Sequence, residues 1–369
     1  MNFDKSNNAW KITAAAAHAY CVPTEEPEAD GTLQWDNTIM VLVHLKSESQ
    51  EGIGYTYADA VTAQFIAQHL FPLIKDENLF DINRLWGKMQ RKVRNLGLPG
   101  IASMAISAVD NALWDLKSKT LGLPLCKLFG QQHETMQSYA SGGFTTYGPA
   151  ELSAKFQQWK EEGHKMFKMK IGRSKKEDIQ RLRAARKTIG EGQLFVDANG
   201  AYFPKEAIEM ANILNDFEVK WFEEPVTSDD PEGMRFVKEN IPAAIRVASG
   251  EYGYTPGYFK NMLEHSAVDV LQADATRCGG ITGLLKAGEI CGAFHLPISA
   301  HCAPSLHLHP SLSIQPMQHV EYFRDHVRIE KMFFDGYAEA REGKLKPDLS
   351  RNGLGLDFKF KDAQKYKIT

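Results

Sequence analysis

The 369-residue sequence predicts an α/β fold, a (β/α) barrel preceded by a smaller α+β unit. From about residue 135 to 330, short β-like runs alternate with helix-like runs, the pattern of βαβ units in a parallel sheet. There are enough such units to close a barrel, which takes roughly 200 residues or more. Each β-like run also ends in a polar residue that an apolar strand has no use for. Residues 1 to about 130 instead place strands first and helices afterwards, which reads as α+β.

In the first unit, Leu33 to Trp35 and Ile39 to Leu45 are apolar or alternating around Asp36-Asn37, a turn-prone pair that predicts a hairpin. Ser49 to Tyr55 is glycine-rich and polar and reads as a loop. A helical pattern runs from Tyr57 to Leu70, with Pro72 as its stop. The strongest helix spans Ala102 to Lys119, where Ala105, Ala108, Val109, Ala112, Leu113 and Leu116 make one apolar face. Gly122 and Pro124 then end it. In the second unit the strand-like runs are Met166 to Ile171, Gln193 to Asp197, Val219 to Glu223, Arg246 to Glu251, Val268 to Asp274 and Pro297 to His301. Ser174 caps the helix after the first of these, and Pro204 opens the helix after the second. Gly343 to Thr369 has no strong periodicity and reads as a loop-rich tail that packs back on the first unit.

Composition excludes several classes. Lys plus Arg number 43 against 46 Asp plus Glu, a formal charge of −3, so no basic excess points to nucleic acid. The longest apolar run, Ile39 to Val43, stops at His44, far short of the roughly 20 residues that span a bilayer. The N-terminus lacks an apolar core of signal-peptide type. Five cysteines at irregular spacing, with no C-x-x-C, predict neither a disulfide framework nor a zinc cage. The expectation is a soluble, cytoplasmic protein with a sizeable core and no membrane partner.

The informative pattern is the set of strand-end residues: Lys168 and Lys170, then Asp197, Glu223, Glu251, Asp274, His301 and Glu321. From Asp197 onward the steps are 26, 28, 23, 27 and 20 residues, about one strand-plus-helix unit each. Equivalent positions in successive units of a barrel are the C-terminal strand ends, which share one mouth. A single acid there would be an ordinary cap or loop carboxylate. Asp197, Glu223 and Glu251, each closing an apolar run, instead form an oxygen-rich set suited to a hard cation such as Mg²⁺, one ion per site. Lys168 and Lys170 share a strand face. Two adjacent ammonium groups beside a dication are expected to lower each other's pKa, which suits a lysine to act as a base. Asp274 beside His301 would fix the imidazole tautomer and leave its other nitrogen as acid or base. His307 and His309 are expected to be helix or loop residues beside the site.

These residues resemble the enolase superfamily, and within it the mandelate racemase subgroup, over nearly the whole chain. The helix Ala105-Ile106-Ser107-Ala108-Val109-Asp110-Asn111-Ala112-Leu113-Trp114-Asp115 is similar to that family's N-terminal signature. Lys168-Met169-Lys170 resembles its Lys-x-Lys motif, whose second lysine is the base. Asp197-Ala198-Asn199, Glu223-Glu224-Pro225 and Glu251 resemble the three metal-ligand motifs, with Asn199 placed to meet substrate. Asp274 and His301 match the dyad, and Glu321 the acid that hydrogen-bonds the substrate carboxylate. The resemblance implies an α+β capping domain (1–130), a modified (β/α)7β TIM barrel (131–342) and a C-terminal segment (343–369) returning to the cap. It also implies Mg²⁺-dependent removal of the proton α to a carboxylate, and a homo-oligomer, dimer or octamer.

Two reactions suit Lys170 and His301 on either side of a small-molecule carboxylate substrate. Dehydration of an acid sugar (aldonate or aldarate) to a 2-keto-3-deoxy acid is the arrangement more often found in the resembling subgroup. Racemisation or epimerisation by 1,1-proton transfer is the alternative, and a non-catalytic acid-sugar binder would have no use for both groups. The stretches Tyr20 to Thr24 and Gly52 to Tyr57 are placed like the family's specificity loops, with Tyr20, Tyr55 and Tyr57 as candidate hydroxyl contacts.

Overall fold

The structure, a computed structural model describing residues 10–369, opens with an antiparallel sheet of β1 (Ala14–Ala29), β2 (Gln34–Lys46) and β3 (Glu51–Tyr57). Two expectations for this sheet fail. Asp36-Asn37 makes no turn, since Asn37 pairs with Pro23 inside β2. The turn lies at Asp30–Leu33, where the Asp30 carboxylate accepts the amides of Thr32 and Leu33 at 2.6 Å each, a side-chain mimic of a backbone turn. Nor is 49–55 a loop. Gly52 and Gly54 lie two apart and share the face of β3 that meets the helix Ile101–Thr120. A Cβ on Gly54 would stand 2.3 Å from the Ala112 nitrogen. These glycines permit close approach of strand and helix rather than punctuating a turn.

The helix Val61–Phe65 continues through a π turn, Ile66–Leu70, into Phe71–Ile74. Pro72 therefore does not stop it. The register change leaves Pro72 in the first turn of the next segment, where a missing amide costs little.

The helix Ile101–Thr120 does more than bury an apolar face. Its Ser107 Oγ accepts the amides of Gly279 and Gly280 at 2.9 and 3.0 Å. Asn111 Oδ1 accepts from Ile281 N at 2.9 Å, and Asp110 takes the Thr282 amide at 2.8 Å and its hydroxyl at 2.7 Å. These side chains satisfy the orphan amides that open the helix Gly280–Ala293, so the first unit caps a helix of the second. Burial pushes the Asp110 carboxyl up to about 7 against those hydrogen bonds.

Eight parallel strands form the second unit: β4 (Met136–Ser141), β5 (Met166–Lys170), β6 (Gln193–Asp197), β7 (Val219–Glu223), β8 (Arg246–Ser249), β9 (Val270–Ala273), β10 (Ile298–Ala300) and β11 (Met317–Phe323). They pair in chain order, and β11 pairs with β4 to close the barrel. Between them run the helices Pro149–Glu161, Lys175–Ile189, Pro204–Asp216, Pro231–Glu239, Pro256–Glu264, Gly280–Ala293 and Pro304–Ser311. Five of these open on proline, whose fixed φ suits the first helical position. Tyr139, Phe195, Trp221, Ala248 and Val270 cluster inside the barrel. No helix among the described residues is long and apolar enough to cross a membrane.

The C-terminal segment ties the units together. Lys344–Leu345 pairs with β4, and Leu125 and Gly353 exchange backbone bonds with each other's loops. Asp115, fully buried, accepts Leu354 N at one oxygen and Ile53 N at the other, both at 2.8 Å. Asp115→Ala would strand two buried amides. At about 1–3 kcal/mol per unsatisfied group, urea unfolding should show a loss of about 2–6 kcal/mol.

The sheet tip is pressed against the barrel mouth. A Cβ on Gly31 would come within 2.5 Å of the Ala198 carbonyl and 2.7 Å of the Ile171 carbonyl. The turn that positions Asp30 therefore sits directly beside the ends of β5 and β6.

Candidate active site

Parallel register aligns the strand-end residues. Lys170 is the partner of Asp197 across β5–β6, and Asp197 of Glu223 across β6–β7. All are buried. Lys168 Nζ reaches Glu223 at 2.7 and 2.8 Å, Glu321 at 2.8 Å and Asp197 at 3.4 Å. Lys170 Nζ lies 2.5 Å from Asp197 Oδ2 and donates to Asn199 Oδ1 at 3.1 Å. Below them, Lys168 sits 5.5 Å from the centre of the Tyr139 ring, a cation over a π face that helps hold a buried charge.

Across the mouth, His301 Nδ1 bonds Asp274 Oδ2 at 2.8 Å, while Thr276 N donates to Asp274 Oδ1 at 2.7 Å. Burial pushes the Asp274 carboxyl up, but the His301 hydrogen bond and charge outweigh it and hold Asp274 well below the usual carboxylate range. Glu321 divides its oxygens. Oε1 takes Lys168 at 2.8 Å and the Ser141 hydroxyl at 2.5 Å, and Oε2 takes the Cys302 amide at 3.1 Å. Burial disfavours the Glu321 carboxylate too, yet Lys168 and His301 hold it well below its ordinary pKa.

Among the protein's own groups, the balance of charge favours the protonated lysines. Burial and Lys168 do lower the Lys170 pKa, but Asp197, with Glu251 and Glu223, outweighs them, so the ammonium is held above its ordinary value. Lys168 is raised well above its own by Glu223 and Glu321 despite burial. The sequence pattern showed the like charges and not the 2.5 Å contact with Asp197.

Asp197, Glu223 and Glu251 offer oxygens that all lie within 4.8 Å of one another. Burial and the neighbouring Asp197 charge push the Glu223 carboxyl well up, opposed by Lys168, which marks acid charge in excess of local compensation. Glu251 Oε2 is buried with no hydrogen-bond partner among the described residues, although His301 Nε2 stands 3.3 Å away. An all-oxygen donor set with one orphaned oxygen fits a hard divalent cation. Trp221 Nε1 donates to Glu223 Oε2 at 2.9 Å and orients that carboxylate. Trp221→Phe keeps the ring stacked on Phe195 but loses the bond. Equilibrium titration should then show divalent-cation affinity down about 10–100-fold, the usual effect of deleting a partner that orients a ligand.

A cavity of about 210 Å³ lies over these groups, lined by Asp30, Trp35, Thr38 and Tyr57 from the sheet and by Lys170, Asn199, Glu251, Asp274, His301 and Glu321 from the barrel. Two of the expected substrate contacts lie away from this cavity. Tyr20 is buried on β1, packed at 5.6 Å and 5.4 Å against the rings of Phe333 and Phe358. Tyr55 is buried on β3, stacked on Phe334 and donating to Glu330 Oε1 at 2.7 Å. Neither lines the cavity, because both stretches are strands that pack inward rather than loops. Tyr57 does line it, stacked on His326, and its hydroxyl has no hydrogen-bond partner among the described residues.

Sequence reasoning missed Asp30, Trp35, Thr38, Tyr252, Arg277, Cys302 and His326, which also line the cavity. Arg277 follows Asp274 by three residues and pairs with Glu251 Oε1 at 3.3 Å, so its spacing was a usable signal. His307 and His309 are structural. His307 Nε2 accepts Ala275 N at 2.8 Å, and His309 Nδ1 accepts Cys126 N at 3.2 Å. Burial pushes the His309 imidazole down to about 4.

Comparison with known proteins agrees with this geometry. L-talarate/galactarate dehydratase of Salmonella typhimurium is 31% identical over 324 residues, covering 86% of this chain and 80% of that protein. Its structure with Mg and L-lyxarohydroxamate superposes with a TM-score of 0.90 at 27% identity, covering 100% and 96% of the two chains. Arabinonate dehydratase of Saccharolobus solfataricus is 33% identical over 255 residues, 68% of each protein. A mandelate racemase/muconate lactonizing enzyme-like protein from Rubrobacter xylanophilus matches at 42% identity and a TM-score of 0.95, covering 97% of this chain and all of that one. Residues 20–130 match the mandelate racemase / muconate lactonizing enzyme N-terminal domain, and residues 151–363 the enolase C-terminal domain-like family. The chain belongs to the mandelate racemase subgroup of the enolase superfamily.

Proposed function

We propose that this enzyme is a Mg²⁺-dependent dehydratase of an acid sugar, an aldonate or aldarate, forming a 2-keto-3-deoxy acid. The observation that carries the reading is the pairing of a lysine aimed into the cavity from β5 with a histidine–aspartate dyad at β9–β10. β5 and β10 stand three strands apart one way around the closed barrel and five the other. The two groups therefore approach a bound substrate from different sides. The dehydratases of acid sugars among the similar proteins support the same reading.

Asp197, Glu223 and Glu251 would hold Mg²⁺, which when bound would offset the acid charge that keeps Lys170 protonated and would polarise a substrate carboxylate. Lys168, fully buried, spends its ammonium on Glu223, Glu321 and Asp197 and holds these carboxylates in place from within the barrel, while Glu321, whose Oε1 is fixed by Lys168 and Ser141, lines the cavity floor. Lys170 removes the α-proton. His301, its tautomer set by Asp274 on Nδ1, delivers a proton from Nε2 to the departing β-hydroxyl. Asn199 receives Lys170 and keeps its amine aimed over the site. Tyr57, with its free hydroxyl, is the sheet's own candidate for a substrate hydroxyl.

The same two-sided geometry favours a second reading, racemisation or epimerisation by 1,1-proton transfer between Lys170 and His301. Incubation with stereoisomeric C4 to C6 aldonates and aldarates and Mg²⁺ separates them. The dehydratase releases a semicarbazide-reactive 2-keto acid, whereas a racemase or epimerase returns only stereoisomers of the substrate.

A further inference from the structure

Beside the carboxylate site lies a second convergent set that contains nitrogen and sulfur. His301 Nε2, Cys302 Sγ and Glu321 Oε2 stand 3.2 Å (His to Cys), 3.5 Å (Cys to Glu) and 3.7 Å (His to Glu) apart. Tetrahedral Zn²⁺ with bonds of about 2.3 Å to sulfur and about 2.0–2.2 Å to nitrogen and oxygen needs donor separations of roughly 3.3–3.6 Å. The triangle matches this within a few tenths of an ångström. All three residues are buried.

The backbone is built to make that triangle. Neighbouring side chains on an extended strand point to opposite faces. Cys302 and Ala303 instead adopt φ of 51° and 39° just beyond β10, a left-handed conformation unusual for residues with a Cβ. This turn folds the thiol back beside the imidazole of its own neighbour. Glu251 Oε2, 3.3 Å from His301 Nε2, belongs to the carboxylate set, so the fourth position of this second site is left to solvent. Glu321 Oε2 is the oxygen not engaged by Lys168 or Ser141, and it accepts the Cys302 amide at 3.1 Å.

We propose that His301, Cys302 and Glu321 form a site for a thiophilic divalent cation of the Zn²⁺ class, separate from the Mg²⁺ site, and that its occupation shuts the enzyme off. Ligand softness separates the two metals, because carboxylate oxygen suits Mg²⁺ while imidazole and thiolate suit Zn²⁺. Binding displaces the Cys302 thiol proton to solvent and forms the metal–sulfur bond. It also occupies His301 Nε2, the ring nitrogen that Asp274 leaves facing the cavity, so the proton-delivering group is lost whatever carboxylate the enzyme turns over. The metal-binding claim stands independently of the acid-sugar reading.

The test is a Co²⁺ titration of the full-length protein saturated with Mg²⁺, followed by competition with Zn²⁺ against a chromogenic chelator. One equivalent of Co²⁺ should bind with a thiolate-to-metal charge-transfer band in the near ultraviolet, and Zn²⁺ should abolish that band. Cys302→Ala and Cys302→Ser should each lose the band and weaken Zn²⁺ binding by about 100-fold, with circular dichroism showing both folded. Cys21→Ala, which removes a thiol that does not line the cavity, should retain both properties. Three results overturn the proposal: binding without a thiolate band, a band that survives in Cys302→Ala, or Zn²⁺ affinity equal in variant and wild type. The last would place Zn²⁺ at the carboxylate site.

Discussion

Lys170→Met is expected to abolish dehydration, lowering kcat by about 10⁴-fold, the upper range for a positioned general base, or about 5.5 kcal/mol of transition-state stabilisation. α-Proton exchange with D₂O should disappear in parallel, because the same amine handles that proton. The variant should fold, since Asp197 keeps Lys168 at 3.4 Å and the Asn199 amide at 2.9 Å. Loss of the 2.5 Å Lys170–Asp197 contact removes a cation that competes for a metal ligand, so Mg²⁺ affinity measured by titration should hold or rise. A loss of turnover that merely tracked weakened Mg²⁺ binding would show Lys170 to be structural.

His301→Asn should lower dehydration by about 10²–10⁴-fold, the range for a lost general acid, while leaving exchange of the α-proton measurable. The two activities part because Lys170 remains to remove the proton while the β-hydroxyl has lost its acid. Asp274 would not be orphaned, since Thr276 N still donates at 2.7 Å and Arg277 stays within 3.8 Å. Proton nuclear magnetic resonance in D₂O follows both events in one tube. Exchange lost together with dehydration would instead make His301 the base.

The barrel and its mouth were readable because a period of one strand-plus-helix unit makes remote residues equivalent. Asp197, Glu223, Glu251, Asp274, His301 and Glu321 fall at or near strand ends, and the structure brings Glu251, Asp274, His301 and Glu321 around one cavity with Asp197 and Glu223 beside Glu251. Local chemistry was readable too, as at Ser174, whose side chain caps the helix Lys175–Ile189. What stayed hidden depends on contacts between units. Gly52 and Gly54 read as a loop because a glycine needed for close approach to a helix looks, in sequence, like one needed to turn. Asp30, Trp35 and Thr38 reach the cavity only because the sheet tip docks on the barrel, and no spacing encodes that docking. Tyr20 and Tyr55 were misplaced for the same reason, their rings turned into the packing between the sheet and the helix Arg324–Phe333. The sign of the Lys170 shift depends on Asp197, with Glu251 and Glu223, outweighing burial and Lys168, a balance that spacing does not encode.

The central claim is that one mouth removes the α-proton and then expels the β-hydroxyl. Turnover of an active aldonate or aldarate in D₂O with Mg²⁺, followed by nuclear magnetic resonance, tests it directly. The predicted result is loss of the C2 proton signal together with a 2-keto-3-deoxy acid that carries one deuterium at C3. Deuterium at C2 of an intact sugar acid, with or without inversion and with no keto acid formed, would contradict it.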